Sequence, residues 1–300
     1  MKKDWIRKIL MILLACIFLA SGGIILASRY KYFVNERLNR KAVESYTVQK
    51  SESSASAESA PPPSAAPPSA APQTDNVEDG TQTEPTGTEK ETQMIRGETP
   101  IAVDFKALKE LNPEIIGWIY CEDTKINFPI AQASDNDYYL NHAYDRSSNA
   151  CGTVFADAFN GRDFVDSNTI IYGHHLYNGA MFGKLEDWFT QKYFDEHRIM
   201  WILTPDQDYR VELFSAYYTL ATSDAYTLFQ QPSAELDEYL AKAKSRSRVN
   251  ADVELDGQAK YVVLSTCAYV DFLSRAVLHG KMVPVNSAGG YLIERTDAQN

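Results

Sequence analysis

The chain has 300 residues, a net charge of −11 and 44% hydrophobic residues, enough for a substantial core but unevenly spread. Residues 1–50 carry ten Lys/Arg against three Asp/Glu, residues 51–100 two against nine, and residues 101–300 seventeen against twenty-eight. A large C-terminal region without a basic excess argues against nucleic acid as a partner, because phosphate binding needs a basic face.

Lys2, Lys3, Arg7 and Lys8 precede an uncharged apolar run over residues 9–27. At about 1.5 Å per residue, that run is about as long as the hydrocarbon core of a bilayer is thick. The small pair Ala27-Ser28 is followed at once by Arg29 and Tyr30, which favours an uncleaved transmembrane signal-anchor over a removed signal peptide. Residues 28–50 then form a basic juxtamembrane segment. Its Arg29, Lys31, Arg37, Arg40 and Lys41 rival the leading cluster, so charge alone leaves the orientation open. Residues 51–98 are rich in Ser, Ala, Pro, Thr and Glu and nearly devoid of large apolar side chains. Such a stretch buries too little surface to offset its ordering entropy and is predicted to be a disordered linker between anchor and domain.

From residue 99 to 288 the pattern is that of one globular domain, with 289–300 as a tail. Val103, Phe105, Leu108 and Leu111 recur at helical spacing between Pro100 and Asn112-Pro113. Strands are predicted over 115–120, 125–130, 152–155, 169–172, 199–203, 209–218, 261–264 and 276–283, and helices over 136–142, 180–188 and 234–244. Many short strands with interspersed helices give a mainly β fold, a barrel or sandwich with added helices.

Two strands end in reactive side chains. Tyr261-Val262-Val263-Leu264 leads through Ser265 and Thr266 to Cys267, where the strand is predicted to stop, and Arg275 follows at the start of the next strand. Thr169-Ile170-Ile171-Tyr172 leads through Gly173, read as a sharp turn, to His174 and His175. A thiol is mostly protonated near neutrality, so an imidazole that takes its proton and later returns it to a leaving amine is what thiol acyl transfer requires. Arg275 can offer a planar fork of donors to a developing oxyanion. Backbone alternation points His175 away from His174. The four cysteines, Cys16, Cys121, Cys151 and Cys267, include no CxxC pair and no close Cys/His cluster, so no metal site is expected. Cys121 and Cys151 can pair in an oxidising compartment if the fold brings them together.

In combination these segments resemble the sortases, membrane-anchored cysteine transpeptidases of Gram-positive bacteria. Leu264-Ser265-Thr266-Cys267 with Arg275 is similar to their nucleophile strand, and Tyr172-Gly173-His174 with Met181-Phe182-Gly183-Lys184-Leu185 to their histidine segment. Asn112-Pro113-Glu114-Ile115-Ile116-Gly117-Trp118-Ile119, Phe128-Pro129-Ile130, the stretch from Asp135 to His142 and Gly152-Thr153-Val154-Phe155 resemble class B in particular. The resemblance implies a closed β-barrel with an N-terminal helical extension and a helix before the nucleophile strand. It implies Cys267 as nucleophile, His174 as acid/base and Arg275 as stabiliser, with Ser265, Thr266, Tyr172 and Asn136 lining the groove and no cofactor. It further implies cleavage of a C-terminal sorting signal after Thr and a thioester on Cys267. Transfer to a peptidoglycan-precursor amine would then anchor secreted proteins to the wall, with pilin joining as the variant. Residues 1–8 would be cytoplasmic and the domain extracellular. Ala158 and Phe159 depart from the class pattern. A cell-wall cysteine peptidase and a non-catalytic tethered binding module are the alternatives.

Overall fold

The structure, a computed structural model, describes residues 2–50, 99–267 and 274–285, with Cys267 through its backbone. The predicted linker 51–98, the break after Cys267 and the tail 289–300 lie outside the described residues. In chain order the elements are α1 (Lys2–Tyr46), β1 (Thr47–Gln49), β2 (Ile101–Val103), α2 (Phe105–Leu111), β3 (Ile115–Tyr120), β4 (Asn127–Ala131) and β5 (Val154–Ala156). They continue with β6 (Asn168–Tyr172), α3 (Gln191–Glu196), β7 (Ile199–Leu203), β8 (Asp208–Leu220), α4 (Ala234–Arg246), β9 (Lys260–Cys267) and β10 (Ser274–Val285).

Eight strands close into a barrel in the order β10-β8-β7-β3-β4-β5-β6-β9, with β9 returning to pair with β10. All neighbours are antiparallel except β4–β5 and β6–β9. One apolar cluster draws on all eight strands, including Ile119, Phe128, Val154, Ile171, Ile202, Val211, Leu264 and Leu278, and fills the lumen. On the outer face, Tyr261 and Val263 of β9 join Ile170, Phe214 and Val277 beneath α4. Period-two alternation thus splits β9 between lumen and outer layer.

The helix α4 forms because Leu236, Tyr239, Leu240 and Ala243 recur on one face, all buried. Ser233 caps it by accepting from Leu236 N, with Glu235 and Asp237 in the first turn and Lys244 and Arg246 in the last. Burying its two leucines contributes about 1.5–3 kcal/mol each.

The N-terminal segment contributes more than an apolar rod. Beyond the uncharged run, α1 turns a face onto the barrel. Ala42 is buried with Ile101, Trp118 and Ala131, and the buried Asn35 accepts from Asn149 Nδ2 at 2.9 Å. Then β1 pairs antiparallel with β2, Val48 opposite Ala102. Lys50 N donates to Pro100 O at 3.0 Å and Asp104 N to Tyr46 O at 2.8 Å. Residues 35–50 therefore belong to the same packed body as the barrel, and 51–98 joins two paired strands.

Some local expectations change. Residues 101–103 are a strand because β1 lies alongside, and the helix starts only after Asp104, whose side chain accepts from Ala107 N. The helices expected over 136–142 and 180–188 are single tight 3-10 turns at Tyr138–Leu140 and Leu185–Phe189. Cys121 and Cys151 are both free and buried, with burial pushing the Cys121 thiol up to about 12, so they form no disulfide.

Candidate active site

Three adjacent strands define the site. On one side of β9, Cys267 stands directly opposite Arg275 of β10. On the other side, β6 runs parallel with Tyr172 opposite Ser265, and Gly173 N donates to Ser265 O at 3.1 Å. Continuing that register two positions beyond Tyr172 and Ser265 brings His174 abreast of Cys267, at the same parity. Because β6 and β9 are parallel, both deliver their last residues to the same barrel rim. The cysteine position is thus flanked by the histidine strand and the arginine strand.

His174 is held from its far edge. Its Nε2 lies 2.7 Å from Leu140 O, and since a carbonyl can only accept, Nε2 carries the proton. Nδ1 is left as the atom that can take a proton and return it. Gly173 is needed for close approach rather than for the sharp turn read from the sequence, because a Cβ there would sit 2.7 Å from the ring of Phe182. That ring is fully buried and forms the floor under the histidine segment. Gly152, at φ +63°, lets the chain pass against the carbonyls of Tyr139 and Leu140 and so backs the turn that holds His174. His175 forms an isolated bridge with Met181.

The four groove candidates divide. Tyr172 and Ser265 lie side by side on the outer face of their strands. Tyr226, from the 3-10 turn Asp224–Tyr226, stacks on Tyr172 at 6.3 Å and 17°, and its hydroxyl shares a hydrogen bond of 2.8 Å with Ser265 Oγ. Thr266 differs: alternation puts it on the lumen side of β9, 3% exposed, with Oγ1 finding no partner among the described residues. Its side chain is therefore turned away from Ser265. Asn136 is largely committed internally, donating to Asp157 Oδ2 at 3.1 Å and accepting from Ala158 N at 2.8 Å. One amide N–H remains for a ligand.

Arg275 is half-buried and donates to Ser274 O at 3.1 Å. Burial first, then the hydrogen bond to Asp157, pushes the Tyr172 hydroxyl above the ordinary tyrosine range, so it remains a neutral donor. Among the described residues, no group of His, Cys, Asp and Glu is arranged to hold a metal ion.

Sequence reasoning missed three members of this neighbourhood. Leu140 acts through its backbone carbonyl, which no side-chain pattern reveals. Tyr226 belongs to a loop far from both reactive strands in sequence. Asp157 sits between Gly152-Thr153-Val154-Phe155 and the departing pair Ala158-Phe159, and a carboxylate amid Phe155, Ala156, Ala158 and Phe159 was the available signal.

No family model matches the chain. It is 34% identical over 196 residues to Sortase B of Listeria monocytogenes serovar 1/2a (strain ATCC BAA-679 / EGD-e), covering 64% of this chain and 78% of the relative. It is 32% identical over 197 residues to Sortase B of Staphylococcus aureus (strain NCTC 8325 / PS 47), covering 64% and 80%. Among solved structures, the S. aureus sortase B–substrate complex superposes with a TM-score of 0.58 at 31% identity over 61% of this chain and 85% of that one. A Sortase B complexed with triglycine gives 0.57 at 32% identity over 61% and 86%.

Proposed function

Because the chain belongs to the class B sortases and is therefore a cysteine transpeptidase with a general anchoring role, we propose that Cys267, His174 and Arg275 carry its acyl transfer. The observation supporting this assignment is the register that flanks Cys267 with Arg275 on one side and the Tyr172-Gly173-His174 strand on the other. His174 Nδ1 takes the Cys267 thiol proton as the sulfur attacks the carbonyl carbon of the Thr residue in a C-terminal sorting signal. The C–N bond breaks as His174 Nδ1 gives its proton to the leaving amine, which leaves a thioester. An incoming amine attacks that thioester and loses a proton to Nδ1, and the C–S bond breaks as that proton returns to sulfur, regenerating the thiol. Arg275 donates to the oxyanion in both tetrahedral states.

The donor peptide lies along Tyr172, Ser265 and Tyr226, with the spare amide N–H of Asn136 at its edge. A relative solved with substrate and one solved with triglycine support a peptide donor and an amine acceptor. In the cell the acceptor is a peptidoglycan-precursor amine and the product a wall-anchored protein, a transfer that needs no cofactor. Residues 9–27 are the membrane span, 1–8 are cytoplasmic and the catalytic domain is extracellular. The helix containing that span is long and apolar enough to cross a bilayer, and its most apolar window is not buried against the protein.

The test uses the full chain in nanodiscs with a library of sorting-signal peptides and a supplied amine, read by mass spectrometry. Amine-joined product that vanishes in Cys267→Ala supports the reading. Hydrolysis alone across all amines overturns transpeptidation in favour of a peptidase.

A further inference from the structure

The geometry points to Asp157 as the positioning residue of His174. This rests on the reading of His174 as acid/base. Asp157 is a buried carboxylate at the end of β5, 6% exposed, and all its described partners are hydrogen-bond donors. Its Oδ2 accepts from the Tyr172 hydroxyl at 2.7 Å and from Asn136 Nδ2 at 3.1 Å, and its Oδ1 accepts from Phe159 N at 2.9 Å.

The two side chains on Oδ2 belong to the two segments that meet at the histidine. Tyr172 is the last residue of β6 and stands two residues before His174. Asn136 leads into the turn Tyr138–Leu140, whose last carbonyl accepts the His174 Nε2 proton. One carboxylate oxygen therefore clasps the strand that carries the imidazole to the turn that orients it. The backbone reinforces the clasp, since Ala158 N donates to Asn136 Oδ1 and Gln132 Nε2 donates to the carbonyls of Asp157 and Asn160 at 2.9 Å each.

A buried carboxylate is costly to desolvate unless its oxygens are saturated with donors. A tyrosine–asparagine contact alone could join the same two segments without a charge. The carboxylate adds short, charge-assisted bonds from both segments to a single atom, which fixes their spacing more tightly than neutral bonds do. Loosening it lets the Leu140 carbonyl drift from Nε2, so that the proton no longer has a preferred nitrogen and Nδ1 is protonated in part of the population.

The experiment uses the full chain in nanodiscs with ¹⁵N-labelled histidine, the His174 signals being identified by their loss in His174→Gln. The wild type is expected to show the Nε2–H tautomer. Asp157→Ala and Asp157→Asn are expected to give a mixed tautomer signature at His174. They are also expected to lower kcat about 10- to 100-fold, as for other small misplacements of a reacting group, with KM for the sorting peptide changed less than about threefold. Asp166→Ala is the control. That residue is an equally buried carboxylate, bonded to Asn160 and Gly161 without reaching the histidine, so this variant should lose thermal stability with kcat and tautomer unchanged.

If neither Asp157 variant folds, Tyr172→Phe and Asn136→Ala open the clasp from its other ends and are read by tautomer alone. A wild-type tautomer signature in the folded variants, or an equal kcat loss in Asp166→Ala, overturns the assignment. The tautomer is measured without substrate, so a wild type lacking transpeptidase product would refute the proposed function while leaving this test intact.

Discussion

Cys267 and Arg275 face each other across an antiparallel strand pair, which fixes their backbones within about 4.5–5.5 Å. With that spacing set by the ladder, the length and shape of the arginine decide what it can reach. A lysine there supplies a point charge but no planar fork. Arg275→Lys is expected to lower kcat/KM about 10- to 100-fold, the worth of one charged hydrogen bond, with little change in melting temperature. Near-normal turnover in steady-state assays would remove Arg275 from oxyanion stabilisation.

Gly173→Ala places a methyl group against the buried Phe182 ring. The ring is fully buried, so the variant should lose about 1–3 kcal/mol of stability. Activity should fall further than the folded fraction accounts for, because the displaced residue is next to His174. Denaturant melts compared with turnover per folded molecule check this, and a loss of stability alone would separate the glycine from the chemistry.

His279 gives the fold an acid-sensitive point. It lies in mid-strand on β10, 1% exposed, stacked on Tyr217 at 5.3 Å and bonded to its hydroxyl at 3.0 Å. Burial first, then the nearby Arg246 charge, pushes its pKa down to about 3. Below the ordinary histidine value of about 6.5, the unfolded chain binds a proton that the folded chain refuses. Stability from this group is therefore full above about pH 6.5 and is lost as pH falls toward 3, by at most about 1.4 kcal/mol per pH unit. Urea midpoints at pH 7.5 and 5 should differ in the wild type and differ less in His279→Phe. An equal difference in both would assign the acid lability elsewhere.

A protease site inserted between residues 51 and 98 should be cut without releasing the barrel. The β1–β2 ladder and the buried Asn35–Asn149 bond lie on either side of the cut and persist after it. Membrane fractions should retain the C-terminal fragment in buffer and shed it in urea. Release in buffer would mean that these contacts are too weak to hold the two pieces together.

The barrel was legible because its strands carry strong β-branched and aromatic runs bounded by polar turns. The prediction for 199–203 matches β7 to the residue, whereas the predicted stop after Cys267 falls on residues outside those described. The helix at 234–244 was legible from its apolar face. What stayed hidden was non-local. Thr47-Val48-Gln49 is too short to declare itself and is a strand only because Ile101–Val103 lies beside it. The turns at Tyr138–Leu140 and Leu185–Phe189 share composition with helices, and tertiary contacts shortened them. In the candidate site, the residue types carrying chemistry stood out, whereas Thr266 could be turned away from the groove only once the lumen side of β9 was known. Asp157 and Leu140 act through hydrogen bonds between segments, which a linear pattern does not encode.

The unbroken course of α1 also sets an altitude. With residues 9–27 in the bilayer, Asn35 stands only about 12 Å of helix beyond the last of them, and there the barrel is already attached. The long acidic stretch adds no reach, because it leaves and re-enters the same body. On the proposed topology, the candidate catalytic rim would be carried on a short mast and would sweep a thin layer just above the lipid headgroups, and only sorting signals passing through that layer would come within its range.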